Sequence, residues 1–111
     1  MRKSSPLYQA VLILDSELSE NFPIYAENKP LSLDTFDVLI ELGYGSYGRV
    51  LHSCIARHCH RHNYLFNILS DSNRYSLATG EVSGVIDDKQ KSHAVECLKR
   101  INKNRERREA K

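Results

Sequence analysis

The sequence predicts a mainly α domain carrying one small β-hairpin, an α+β chain, and three observations lead there. Apolar residues recur at helical spacing near both ends of the chain. One stretch, Arg74 to Ile86, instead alternates loosely in polarity around Gly80 and Gly84. The length of 111 residues suffices for one compact core and leaves no room for a second folded unit.

Taken in order, Leu7, Val11, Leu14 and Leu18 form one helical stripe with Asp15 and Glu17 off it, so the first helix should end before Phe22-Pro23. A connector runs through Pro30. Ser32 or Asp34 can then cap a short helix that buries Phe36, Leu39 and Ile40 and stops at Gly43. The next helix is expected from about Tyr47 to Cys59, with Val50, Leu51, Cys54, Ile55 and His58 inward and Arg49, Ser53 and Arg57 outward. Tyr64, Leu65 and Ile68 share adjacent turns of a further helix, His60 to Leu69. Asp71-Ser72-Asn73 is turn chemistry leading into the hairpin, whose two short strands need helical support. Asp87, with Gln90 three residues on, caps the last helix, and Ala94, Val95, Leu98 and Ile101 are its expected buried stripe. Beyond Asn102 the stripe ends, which divides the chain into a folded domain, residues 1–102, and a frayed basic tail, residues 103–111.

The net charge of +2 hides a strong asymmetry. Residues 1–48 hold three basic and seven acidic side chains, residues 49–88 four of each, and residues 89–111 nine basic against three acidic. Arg49 to Ser70 contains three arginines, four of the five histidines and no carboxylate. Segregation of this kind points to a polyanionic partner. The longest apolar run, Ala10 to Leu14, is far below the roughly 18 residues of a membrane span. Three cysteines, Cys54, Cys59 and Cys97, without CxxC spacing or a secretion signal argue against a disulfide framework. A soluble, cytoplasmic protein, monomeric and free of membrane, is the expectation.

Three motifs point toward other chemistries. Gly43-Tyr44-Gly45-Ser46-Tyr47-Gly48 matches the Gly-rich loop that covers nucleotide phosphates in protein kinases, but the lysine, catalytic Asp and metal ligands that phosphoryl transfer needs are missing. A structural turn between helices is the simpler reading, with a small nucleotide-binding domain as its competitor. Cys54, His58, Cys59, His60 and His62 carry zinc-ligand chemistry, yet a structural site draws paired ligands from two elements and only Cys97 is available from elsewhere. No metal and no cofactor are therefore expected. A Cys–His nucleophile would need a low-pKa thiolate and an oxyanion hole that nothing here specifies, so the chain is not read as an enzyme.

Arg57 to Ala94 sets a helix with a tyrosine before a Gly-punctuated hairpin and a basic helix, and Phe22-Pro23 followed by Lys29-Pro30-Leu31 and Phe36 precedes it. In this order and spacing the chain resembles the FinO/ProQ family of bacterial RNA chaperones over roughly nine tenths of its length. The resemblance implies a basic concave face, built by the third and fourth helices and the hairpin, that holds the 3′ strand of a terminator-like RNA hairpin and its single-stranded tail. Tyr64 falls on the family's pocket tyrosine, Arg74 on its basic residue ten positions later, and Lys29 on a common basic position. Arg49, Arg57 and Arg61 would contact phosphates from neighbouring turns. Departures are Ser32 where the family has lysine, His52 and Ala56 in place of two arginines, and Cys59 where a Thr or Ser cap is usual. The implied function is binding of small regulatory RNAs and transcript 3′ ends, protecting them and promoting RNA–RNA pairing in post-transcriptional regulation. A protein-interaction module with a basic face is the alternative from another class.

Overall fold

Ser5 starts the first helix of the computed structural model, which describes residues 5–109. Its Oγ accepts the Tyr8 N–H at 3.0 Å, and Pro6 follows at the first helical position, where a missing N–H costs nothing. Helix α1 (Pro6–Asn21) ends where expected, and Val11, Leu14 and Leu18 on its inner stripe are fully buried. Each such side chain contributes about 1.5–3 kcal/mol by leaving water. The expected connector contains a single turn of helix, α2 (Pro23–Ala26), which buries Ile24 and Tyr25.

Helix α3 (Thr35–Glu41) buries Leu39 and half-buries Phe36, but Ile40 is 53 % exposed. The sequence pattern predicts Ile40 in the core, but a helix of only two turns has one narrow inner stripe, and Leu39 occupies it. Gly43, in the left-handed region at φ 100°, ends α3, a 3₁₀ turn spans Tyr44–Tyr47, and Gly48 opens helix α4 (Arg49–Cys59). Leu51, Cys54, Ile55 and His58 of α4 are buried. The chain breaks at His60-Arg61 and resumes as α5 (His62–Ser70), with Tyr64, Leu65 and Ile68 inward.

Strands β1 (Asn73–Tyr75) and β2 (Val82–Val85) pair antiparallel, Asn73 with Val85 and Arg74 with Gly84, with an irregularity before Tyr75. The hairpin has a third, partial lane. Leu31 forms a parallel bridge to Tyr75, with Ser32 N–H donating to Tyr75 O at 3.0 Å and Tyr75 N–H to Pro30 O at 2.9 Å. Helix α6 (Asp88–Glu109) begins with the expected reciprocal cap: Asp87 Oδ1 accepts Gln90 N–H at 2.8 Å and Gln90 Oε1 accepts Asp87 N–H at 3.2 Å. Its buried residues are Ala94 and Cys97, whereas Val95 is 36 % exposed. Cys97 rather than Val95 completes the i, i+3, i+4, i+7 stripe that starts at Ala94. The helix runs past Asn102, exposed, to Glu109; the last two residues of the expected tail, 110 and 111, lie outside the described residues.

One core joins these elements, with α1 packed on α4 and α5 on α6. Tyr25 ties the first pair together. Its ring stacks on His58 at 3.8 Å and its hydroxyl donates to Asp15 Oδ1 at 2.5 Å. Among the described residues no helix is long and apolar enough to cross a membrane.

Candidate functional site

The two side chains singled out from the sequence, Tyr64 and Arg74, meet at one residue, Leu31. The Leu31 N–H donates to the Tyr64 hydroxyl at 3.1 Å, and the Leu31 carbonyl accepts from Arg74 Nη1 at 2.7 Å. Both clasping residues are buried, Tyr64 at 5 % and Arg74 at 8 % exposure. Burial, with the Cys59 thiol alongside, pushes the Tyr64 phenol up to about 12, so it stays neutral. Arg74 stands opposite Gly84 on β2, which presents no side chain there. Its Nε has no hydrogen-bond partner. A buried guanidinium with an unused donor is a costly arrangement that an incoming anion would relieve.

That guanidinium forms the common wall of two clefts. The larger, of about 530 Å³, runs between α5 and α6: Tyr64, Leu65 and Ile68 on one side, Lys89, Gln90, His93 and Ala94 on the other, with Cys59 and His60 at the end. It contains two permanent cations, Arg74 and Lys89, two histidines and no carboxylate. The smaller, of about 230 Å³, lies beyond the hairpin among Ser32, Leu33, Asp34, Ser83, Gly84 and Val85. A cationic cleft floored by apolar side chains can hold a sugar-phosphate end, with the charge on phosphate and the hydrophobic floor under sugar or base.

The remaining sequence-selected residues fall elsewhere. Arg57 and Arg61 do not join this cleft: both turn to Asp15 on α1, Arg61 Nη2 at 2.7 Å and Arg57 Nη1 at 3.9 Å. The carboxylate absent from their own segment is supplied by the first helix. Although partial burial opposes ionisation, hydrogen bonds from Tyr25 and Arg61 hold the Asp15 carboxyl below its ordinary value. His52 is exposed and stacks on Phe36 at 4.1 Å. Arg49 opens α4 as an exposed residue, and Lys29 pairs with Glu27 at 3.5 Å while lying over the Tyr75 ring at 5.2 Å. The residue capping α5 is Arg61 in extended conformation, and Cys59 ends α4 instead.

The far wall, Lys89, Gln90 and His93, is not among the residues that the sequence singles out for the site. Its signal is the nine basic residues of the last 23, whereas the resemblance implies a face on the two middle helices and the hairpin. Of the motifs pointing elsewhere, the Gly-rich turn uses its backbone internally: Gly43 N–H donates to Ile40 O and Gly48 N–H to Gly45 O. Its tyrosines fasten it to α1, with Tyr47 Oη donating to Glu17 Oε2 at 2.9 Å and Tyr44 Oη accepting from Asn21 at 3.1 Å. Cys54 and His58 are in the core beside Tyr25, and burial raises the Cys54 and Cys59 thiols, which opposes a nucleophilic thiolate.

Compared with known proteins, residues 8–111 match the model of the ProQ/FINO family. No curated protein sequence matches the chain. Among solved structures, a FinO-like RNA chaperone from Neisseria meningitidis MC58 superposes with a TM-score of 0.73 at 17 % identity, over 88 % of this chain and 83 % of that one. At that identity the likeness is one of fold.

Proposed function

The chain belongs to the ProQ/FinO family, and from that premise we propose that it is an RNA-binding protein that takes the single-stranded 3′ end of a structured RNA into the cleft between α5 and α6. The observation that carries this is the cleft itself, two cations and two histidines without a carboxylate around a buried arginine whose Nε is unpartnered. Arg74 and Lys89 neutralise the last internucleotide phosphates, and Tyr64 shapes the floor on which the last nucleotide, with its free 3′-hydroxyl, rests. The Arg57–Asp15–Arg61 group lies outside the cleft and carries less of the binding, because Asp15 already neutralises one of its two charges. No bond is made or broken. Binding excludes 3′ exonucleases from the end and holds the RNA available for pairing with a second strand, as bacterial small-RNA regulation requires.

The clasp on Leu31 dictates how this is tested. Tyr64→Ala would open a core cavity costing about 3–5 kcal/mol, and Arg74→Ala would strand the Leu31 carbonyl, so both confuse folding with binding. Lys89 is exposed and lines the cleft. In a titration with a fluorescent terminator-like hairpin, a 3′-hydroxyl end should bind more tightly than a 3′-phosphate end. Lys89→Ala should weaken binding several-fold and lower the salt slope by about one. Equal binding of both ends, with Lys89→Ala unchanged, sinks the assignment.

A further inference from the structure

His60, His93 and Cys97 bring three ligand atoms within 4.8 Å of one another, and among the described residues they are the group so placed. They come from two elements. His60 sits at the break between α4 and α5, and His93 and Cys97 lie one turn apart on α6. His93 Nε2 and Cys97 Sγ are 3.5 Å apart. With Zn–N bonds of about 2.0 Å and Zn–S of about 2.3 Å, tetrahedral ligand atoms stand roughly 3.5 Å apart. The pair thus already has the spacing that a shared ion requires.

His60 is oriented for the same task. Its Nδ1 lies 2.7 Å from the Ala56 carbonyl, and a carbonyl only accepts, so Nδ1 carries the proton and the Nε2 lone pair is free. A backbone carbonyl that accepts from the far ring nitrogen, fixing the ring and its tautomer, is the usual companion of a metal-bound histidine. Both histidines line the large cleft, while Cys97, at 8 % exposure, approaches from the interior side. Three protein ligands therefore close one side and leave the fourth position toward the cleft.

We propose that His60, His93 and Cys97 bind one Zn²⁺ ion with an open coordination position facing the cleft. Binding releases the Cys97 thiol proton to solvent, and the resulting thiolate leaves the complex with a single positive charge. Arg74 and Lys89 beside it favour an anionic fourth ligand such as a phosphate oxygen or hydroxide. The two-element ligand set that the middle-helix cluster lacked is completed by His93. The ion would bridge α6 to the break before α5, bracing the end of the cleft.

The test uses the metal alone on the reduced 111-residue chain, so its failure leaves the RNA reading untouched. Titration with Co²⁺ should give one ion per chain, tetrahedral visible bands and a thiolate-to-cobalt charge-transfer band, all displaced by one equivalent of Zn²⁺. Cys97→Ser should abolish the charge-transfer band, and His93→Ala, at an exposed position, should weaken binding at least tenfold. Cys54→Ser, in the core beside Tyr25, should bind as the parent does. Absence of a sulfur band at saturating Co²⁺, its persistence in Cys97→Ser, or unchanged affinity in His93→Ala overturns the proposal.

Discussion

Lowering the pH from 7 to 5 should protonate residue 58 in the unfolded chain and leave it neutral in the folded one. His58 is fully buried against Tyr25, and burial, helped by the neighbouring Arg61, lowers its value from 6.5 to about 4. The guanidinium of Arg61 only donates, so its 3.4 Å contact makes His58 Nδ1 an acceptor and puts the ring proton on Nε2, which has no partner. Between the two values the unfolded state binds more protons than the folded state, so stability is present above pH 6.5 and drains as pH falls toward 4. The whole interval is worth about 3 kcal/mol, and about 2 kcal/mol of it is lost by pH 5. Against the 5–15 kcal/mol of a typical domain, that is a large fraction. His58→Phe keeps an aromatic ring on Tyr25 and removes the titration; losing the Arg61 contact shifts its stability by a constant at both pH values. The Asp15 carboxyl titrates lower still and cancels between the proteins. Urea unfolding followed by circular dichroism at pH 7 and 5 should show the parent losing about 2 kcal/mol more than His58→Phe. Equal losses would mean that the folded state accepts the proton and that burial does not hold His58 neutral.

Asp15→Asn leaves Arg57 and Arg61 without their carboxylate and weakens the Tyr25 hydrogen bond; urea unfolding at pH 7 should show a loss of about 1–3 kcal/mol. Gly48 has φ 54° and ψ −121°, where a Cβ meets no atom within 4 Å but the backbone itself is strained. Gly48→Ala should therefore cost about 1–3 kcal/mol in thermal unfolding, and a melting temperature unchanged from the parent would contradict it. Deleting the residues after Asn102 removes, among the described residues, only exposed helix, so the melting temperature should hold while affinity falls across all RNAs alike. A change in preference among RNAs would show that this helix end reads structure.

Much of the site was legible because its landmarks are local. Tyr64 is inward on a short helix with Leu65 and Ile68, and Arg74 is the middle residue of the strand that follows. Their placement came from periodicity and from the family's order of residues; their joint grip on Leu31 did not. Ile40 and Val95 show the limit of reading stripes by hydrophobicity alone, since each helix had a better-placed neighbour, Leu39 and Cys97.

By itself the sequence determined the succession of helices, the hairpin, the capping box at Asp87 and the basic bias that marks a polyanion binder, because each depends on residues a few positions apart. Only the tertiary structure decided which charges are free. It spans 43 residues to join Arg74 to Leu31 and 33 to join Tyr64 to it. It carries Asp15 from α1 to two arginines that stand in a carboxylate-free segment, and it sets α6 opposite α5 so that Lys89 and His93 face Arg74. Helical and strand periods report neighbours along the chain, whereas charge neutralisation, burial and cleft walls depend on which elements the core packs together.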